Sequence, residues 1–224
     1  MSKTVLVVAA HTDDEALGCG GTIARHVADG DVVFAVFMTD GVSSRAQAGH
    51  DDVTNRNEAA EQARELLGIR ENFYLGLPDN RLDSLPLIDV IQLLEPIIYK
   101  LQPNIIYTHH HGDLNIDHRI THRAVLTACR PMPGRNVQAI YAFEVMSSTE
   151  WATPIAEPFV PNHYVDISNQ LNIKLKALSA YQLEMRDAPH SRCLENLAHL
   201  AHHRGNTVGV VAAEAFVAIR TIRY

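Results

Sequence analysis

The sequence has few of the features that mark secreted, membrane or disulfide-rich proteins. It contains three cysteines in 224 residues, and no two of them form a Cys-x-x-Cys pair. An odd number of isolated cysteines excludes a disulfide scaffold and is typical of a reducing compartment. No apolar run is long enough for a membrane span, and Met1-Ser2-Lys3 leads directly into a short apolar stretch instead of a secretion signal. We therefore expect a cytoplasmic protein.

Basic residues are also few. The 19 Lys and Arg residues against 26 Asp and Glu give a formal net charge of -7. This charge argues against a nucleic acid as partner, because neutralising phosphates requires a basic face. A small-molecule substrate remains compatible with it. The length suits one well-packed domain, and no linker, repeat or low-complexity tract divides the chain. We expect a single domain over residues 1–224.

Apolar segments alternate with amphipathic ones along the first two-thirds of the chain. The pattern predicts strands at residues 4–9, 31–38, 72–77 and 104–108 and helices at 17–28, 55–67, 85–101 and 117–129. This alternation is typical of an α/β fold: a Rossmann-like, mostly parallel sheet with helices on both faces. After Pro131 we expect shorter strands at 137–145 and 159–167, helices at 171–185 and 193–204, and either type at 208–222. These elements should complete the same domain.

A polar cluster, His11-Thr12-Asp13-Asp14-Glu15, directly follows the first predicted strand. In open parallel sheets, ligands bind at the C-terminal ends of the strands. An imidazole with three carboxylates at that place predicts a divalent-metal site with its own general base. The competing interpretation is an acidic helix N-terminus, since Asp and Glu favour a first helical turn.

A second cluster, spanning residues 109–118, follows the fourth predicted strand at the same edge of the sheet. It offers His118 at a helix start. Catalytic zinc takes three protein ligands of the His and carboxylate type, which two strand ends can supply together. Of the triple histidine, either His109 and His111 or His110 alone can face the site, to stabilise an oxyanion or donate a proton. A surface position is an equally open interpretation. His122, one turn after His118, is expected to pack or to support the site.

Together these motifs resemble the PIG-L/LmbE-like zinc N-deacetylases. That family has His-Pro-Asp-Asp-Glu after its first strand and x-Asp-His at a later helix start, found here at residues 11–15 and 115–118. Further similar segments are 17–22, Glu58 with 66–68, 75–79, and 213–216 with Arg220. The resemblance spans almost the whole chain. It implies hydrolysis of the amide of an N-acylated, above all acetylated, amino sugar or sugar conjugate.

The resemblance also implies roles for single residues. It implies three ligands for zinc, or for another divalent ion: His11, Asp14 and His118. Asp13 would be the general base, and Asp117 would lie behind the ligands and assist proton transfer. Arg56 falls where the family often places an arginine that contacts substrate.

The chain departs from the family pattern at two positions. Thr12 replaces the usual proline, a position that carries no side-chain chemistry. Asn115 stands where several members carry a histidine that stabilises the tetrahedral intermediate, so that role stays open to His110, His111 or Asn115 itself. Among other substrate contacts, Asp79 suits sugar hydroxyl groups. Trp151 is expected to pack, although its ring also suits a pyranose face.

Two alternatives come from other functional classes. Gly18-Cys19-Gly20-Gly21 suggests the phosphate loop of a nucleotide-binding Rossmann protein, but its spacing differs from Gly-x-Gly-x-x-Gly and carboxylates stand where phosphate would lie. A metal-binding protein without turnover is the other alternative, against which the intact Asp13 argues. The polar segment 43–52 predicts either a mobile lid or a solvated connection. The sequence is compatible with a homo-oligomer.

Overall fold

The computed structural model describes residues 2–44, 50–153 and 157–223. The strands are β1 (Thr4–Ala9), β2 (Val32–Thr39), β3 (Glu71–Leu77), β4 (Ile105–His109), β5 (Ala139–Phe143), β6 (His163–Asp166) and β7 (Ala213–Thr221). The helices are α1 (Asp14–Ala28), α2 (His50–Leu67), α3 (Leu87–Leu101), α4 (Ile116–Ala128), α5 (Leu171–Ala180) and α6 (Leu194–Val208), with a 3₁₀ turn at Leu82–Ser84. Within the described ranges, no helix combines the length and the apolar character needed to cross a membrane.

All seven strands belong to one sheet, in the order β3-β2-β1-β4-β5-β7-β6. Strands β1 to β5 run parallel, β7 runs antiparallel to β5, and β6 runs antiparallel to β7. The mostly parallel α/β sheet predicted from the sequence is therefore confirmed. The segment 208–222, for which the sequence pattern allowed either a strand or a helix, contains the strand β7. The helix predicted to end at residue 185 ends at Ala180, because Tyr181 leaves helical geometry and turns its side chain into the core.

Two hydrophobic layers cover the two faces of the sheet. Along β1, Val5, Val7 and Ala9 pack against the side that carries α1, α2, α5 and α6. Leu6 and Val8 pack against the side that carries α3 and α4. All five side chains are fully buried, which is why this strand is apolar without alternation.

The order of the strands brings the two polar clusters together. Helices α1 and α2 lead outward from β1 to β3 on one face, and α3 returns on the other face to place β4 beside β1. The direction of winding thus reverses between β1 and β4, and ligand sites of open α/β sheets lie at such a reversal. One cluster follows β1 and the other follows β4.

Helix α1 is interrupted at Cys19, and buried charges from the C-terminal part satisfy the backbone groups that the kink frees. The Glu214 carboxylate accepts two backbone N–H groups beyond the kink, at 2.6 and 3.0 Å. Lys174 donates to the Leu17 carbonyl at 2.8 Å and pairs with Glu214 at 2.5 Å. Because unpaired backbone groups in a core are costly, these contacts fix the helix that begins at the first polar cluster.

The glycines of α1 serve packing. A Cβ at Gly18 would collide with the ring of Phe143, and a Cβ at Gly21 would lie 2.6 Å from the side chain of Ile167. These glycines therefore let the helix approach β5 and the segment after β6. The phosphate-loop interpretation loses its basis, since the glycines face a packed interior.

Candidate metal centre

The first polar cluster forms a tight turn between β1 and α1. Asp13 has φ 119°, in the left-handed region that few non-glycine residues adopt, and α1 begins directly after it at Asp14. The Asp13 backbone N–H donates to the Glu15 carboxylate at 3.0 Å, and the Tyr181 hydroxyl donates to the same carboxylate at 2.6 Å. Because of the backbone conformation at Asp13, the side chains of Asp13 and Asp14 lie in different surroundings. The Glu15 carboxylate stabilises the turn through its hydrogen bonds.

Three potential ligand atoms converge below this turn. The His11 Nδ1 and His118 Nε2 atoms lie 3.1 and 3.3 Å from Asp14 Oδ2, and 3.3 Å from each other. A tetrahedral ion with bond lengths usual for zinc separates its ligand atoms by about 3.3 to 3.5 Å. The buried Asp14 Oδ1 atom has no hydrogen-bond partner in the described part of the chain. All three residues are at most 8% exposed, so the donor set fits a buried metal ion.

The electrostatics of the cluster favour positive charge. Burial acts to lower the pKa of His118, but the carboxylates of Asp14 and Asp113 outweigh it and raise that pKa to about 9. Burial acts to raise the pKa of Asp14, but the imidazoles of His118 and His109 hold it well below the usual range. A cation bound to these atoms would occupy a place where the protein otherwise stabilises protons.

A second group of atoms surrounds the other nitrogen of His11. Its Nε2 lies 3.2 Å from Asp79 Oδ1 and 3.3 Å from Asp117 Oδ2, so the geometry also admits an ion here. The Asp117 carboxylate, however, accepts a backbone N–H on each of its oxygens, at 2.6 and 3.0 Å, whereas Asp14 accepts one, on Oδ2 at 2.8 Å, and its Oδ1 has no partner among the described residues. The first group is therefore the better ion site. Asp79 and Asp117 then accept a hydrogen bond from the His11 Nε2–H. This fixes the tautomer of His11 in which Nδ1 carries no proton and can bind the ion.

Asp13 belongs to neither group and lies between two arginines. Its Oδ2 is 3.0 Å from Arg192 Nη1, and its Oδ1 is 3.4 Å from Arg56 Nη2. Burial raises the pKa of Asp13, the guanidinium groups lower it, and the balance is a pKa of about 6. A buried carboxylate of near-neutral pKa next to the ligands meets the requirements of a general base.

Arg56 is held by protein groups on nearly all sides. Its Nε donates to the Thr12 hydroxyl at 2.7 Å, its Nη2 to the Thr12 carbonyl at 2.8 Å, and its Nη1 to Glu184 at 2.6 Å. The side chain is 9% exposed. Thr12, the replacement for the family's proline, thus has a definite role as acceptor. The contact that we expected between Arg56 and substrate would compete with these hydrogen bonds. They attach Arg56 to the turn that contains Asp13.

Asn115 begins the helix that carries His118. Its side-chain oxygen accepts the backbone N–H groups of Asp117 and His118 at 2.8 and 3.4 Å, which is an N-cap. Its amide nitrogen donates to Asn80 at 3.0 Å, and its second amide N–H has no partner among the residues that the structure describes. Asn115 therefore fixes the start of α4.

Asp79 lies with its carboxylate toward His11 and not toward solvent. Its side chain is 5% exposed and accepts hydrogen bonds from the Ser44 hydroxyl and from the Asn80 amide, the latter at 3.2 Å. Burial acts to raise the pKa of Asp79, but the bonds from His11 and Ser44 lower it to about 2. The segment 43–52, expected to be a lid or a connection, contains residues 45–49, which lie outside the described residues.

The three consecutive histidines separate into different surroundings. The His109 ring stacks on His118 with centroids 3.8 Å apart, and its Nε2 accepts a backbone N–H at the end of β1. The His110 Nε2 atom instead lies 3.0 Å from the Glu157 carbonyl oxygen, so His110 does not join the group formed by His11, Asp14 and His118. His122 donates to the His109 carbonyl at 2.8 Å and so has the supporting contact expected of it.

Two residues that contact the candidate site were given no role by sequence reasoning, Asp113 and Arg192. The Asp113 carboxylate lies 3.1 Å from His118 Nδ1 and accepts the hydroxyls of Ser148 and Thr149, the latter at 2.6 Å. Its place within the second cluster was a visible signal. No sequence signal pointed to Arg192, because its partner Asp13 is 179 residues away in the sequence.

A family model described as PIG-L, GlcNAc-PI de-N-acetylase, matches residues 6–129 of the chain. This stretch is more than half of the 224 residues and contains both polar clusters. The chain belongs to the PIG-L family.

The relatives of this PIG-L protein span most of its length. It is 32% identical over 186 residues to the uncharacterized deacetylase YaiS of Escherichia coli K12, covering 80% of this chain and 91% of YaiS. It is 32% identical over 190 residues to a probable N-acetyl-alpha-D-glucosaminyl L-malate deacetylase 2 of Bacillus cereus, covering 81% and 84%. The solved N,N'-diacetylchitobiose deacetylase of Pyrococcus horikoshii superposes with a TM-score of 0.79 at 24% identity, covering 97% and 84%. At that identity the likeness shows the fold alone.

Proposed function

We propose that this protein is a zinc-dependent amide hydrolase that removes the acetyl group from an N-acetylated amino sugar or sugar conjugate. One observation carries the proposal. The ligand atoms of His11, Asp14 and His118 converge within 3.3 Å of one another, beside the separate carboxylate of Asp13. The name of one relative supports the substrate class, since N-acetylglucosaminyl malate is a conjugate of an N-acetylated amino sugar.

The residues divide the work of amide hydrolysis among them. Zinc, when bound, polarises the acyl oxygen and lowers the pKa of water toward about 7. Asp13 takes a proton from the water whose oxygen attacks the acyl carbon. As the C–N bond breaks, Asp13 delivers that proton to the amine nitrogen, and the products are acetate and the free amine.

The surrounding groups keep this arrangement in place. Asp117 and Asp79 orient His11 through its Nε2, and Asp113 orients His118 through its Nδ1. We assign Asn115 the hydrogen bond to the tetrahedral intermediate in preference to His110, because Asn115 caps the helix that carries His118 and has a second amide N–H without a partner among the described residues.

Arg56 and Arg192 lie on the two sides of Asp13. We assign Arg56 the role of holding the Asp13 turn. Its guanidinium is already bonded to Thr12 and Glu184, which leaves little of it for a substrate.

The test combines metal analysis with an assay for released amine. The purified protein is expected to hold about one zinc per chain. It should release amine from N-acetylglucosamine or its conjugates, lose this activity in a chelator, and regain it with zinc. Release that persists in metal-free protein contradicts the metal role. Bound zinc without release from any N-acetylated amino sugar supports instead a binding protein without turnover.

A further inference from the structure

The single tryptophan of the chain lies at the surface and not in the core. Trp151 is 54% exposed, so the expectation that it packs is wrong. One described ring contacts it: His190, edge-on, with ring centroids 5.7 Å apart. An indole combines a large apolar face with one polar N–H, so an exposed one is suited to a ligand that is apolar on one side and polar at its edge.

The loop of Trp151 is attached to the metal centre. Two residues before it, the Thr149 hydroxyl donates to Asp113, whose carboxylate lies 3.1 Å from His118 Nδ1. Two residues of extended chain span at most about 7 Å, so the backbone of Trp151 lies close to that of Thr149. The Glu150 carboxylate accepts two backbone N–H groups of the same loop at 2.6 and 3.2 Å and so fixes its turn.

The loop of His190 is attached to the general base. Arg192 donates to Asp13 at 3.0 Å, and its Nε donates to the Ser147 hydroxyl at 2.5 Å and the Met146 carbonyl at 3.2 Å. The His190 Nδ1 accepts the Arg192 backbone N–H at 3.0 Å. One arginine therefore clamps both loops together, and the two rings stand where the loops meet.

We propose that Trp151 and His190 form a binding surface for a second sugar ring of the substrate, next to the ring that carries the acetylated nitrogen. This rests on the proposed function, which puts the acetylated ring at Asp13. A pyranose has an apolar C–H face that suits an indole, and hydroxyls at its edge that suit an imidazole and nearby polar groups. The preferred substrate is then a disaccharide or a larger conjugate.

The surroundings of Trp151 favour a sugar over a protein partner. Protein interfaces need a broad patch with an apolar centre. Before this indole the chain carries four polar residues, Ser147, Ser148, Thr149 and Glu150, and after it the small Ala152 and the polar Thr153. A single ring among hydrogen-bonding groups instead matches a ligand that is itself apolar on one face and polar at its edge.

Because Trp151 is the only tryptophan, its fluorescence reports on this surface directly. The experiment titrates the full-length holoprotein with N,N'-diacetylchitobiose and separately with N-acetylglucosamine, and records the emission directly after mixing, before appreciable turnover. We expect a saturable change of the indole emission with the disaccharide, at about a tenfold lower concentration than any change with the monosaccharide.

Variants supply the second measurement. Trp151→Ala should raise KM for the disaccharide about tenfold and leave kcat/KM for N-acetylglucosamine within about twofold, and Trp151→Phe should recover most of the loss. The matched control is Tyr99→Ala. Tyr99 is 71% exposed near the C-terminal end of α3, which leads into the start of β4, at the other end of the strands from the candidate metal centre. Its substitution should change neither KM for the disaccharide nor kcat/KM for N-acetylglucosamine.

The outcomes separate this inference from the proposed function. Indole emission that stays constant up to the solubility limit of the disaccharide overturns the inference, whatever the protein hydrolyses. An equal rise of KM for both sugars in Trp151→Ala also overturns it. A saturable emission change in a protein that releases no amine from either sugar supports the binding surface and contradicts the hydrolase.

Discussion

The N-terminal part of the chain, through α4, and the C-terminal part, from β5 onward, contribute to the site in different ways. The N-terminal part supplies the candidate ligand atoms and the proposed general base, in the turns and helix starts that follow β1 and β4. The C-terminal part supplies no ligand in either group of the described residues, but it supplies groups that hold the site: Ser148, Thr149, Lys174, Tyr181, Glu184, Arg192 and Glu214. Reactive groups are thus encoded in short motifs, whereas their orientation depends on distant residues.

The largest effect is expected where the N-terminal part loses a ligand. His118→Ala should lose the metal and lower kcat/KM about a thousandfold or more, because the remaining two donors hold zinc weakly. Zinc per chain after dialysis measures the first effect. Asp79→Asn is the control: it removes a carboxylate of the second group but only a supporting contact of the first, through His11, and should keep the metal with affinity lowered at most about a hundredfold. The reverse result would move the ion to the Nε2 side of His11.

The next effect separates chemistry from metal binding within the same turn. Asp13→Asn should keep zinc and lower kcat about a hundred- to ten-thousandfold, because an amide cannot take the proton from water. Metal analysis and amine release on the same sample measure both properties. Near-normal turnover in this variant would show that another group is the base.

A smaller effect is expected from the C-terminal part, at Arg192. Arg192→Leu should keep zinc and lower kcat about ten- to a hundredfold with less change in KM, because Asp13 loses a bond that orients it. Arg192→Lys should recover part of the loss, since it restores the charge without the planar fork. Arg130→Leu removes an arginine that is 54% exposed, and serves as the control. A lower melting temperature with unchanged kcat would mean that Arg192 only stabilises the fold.

The smallest effect tests the connection between Thr12 and Arg56. Thr12→Val keeps the shape and removes the hydroxyl that accepts from Arg56 Nε. Because the other bonds of Arg56 remain, we expect kcat to fall about fivefold or less with zinc retained. A loss as large as that of Asp13→Asn would show that Thr12 itself takes part in the chemistry.

Much of the N-terminal part was predictable because its signals are local. The apolar run of β1 predicted its bounds without error, and the helix after β4 was displaced by one residue at each end. The family resemblance named His11, Asp14 and His118 as a ligand set, and the structure brings these residues together. Strand alternation left the choice among His109, His110 and His111 open, and the structure places His109 against His118 and His110 against the Glu157 carbonyl.

The sequence by itself determined the fold class, the family and the two polar clusters, because periodicity and motif spacing are properties of neighbouring residues. Only the tertiary structure decided that Arg192 and Arg56 flank Asp13, that Asp79 faces His11, and that Trp151 stands exposed beside His190. Each of these contacts joins residues that are at least 39 positions apart, with Trp151 and His190 as the nearest pair. Such contacts follow from how the layers pack, which no local pattern specifies.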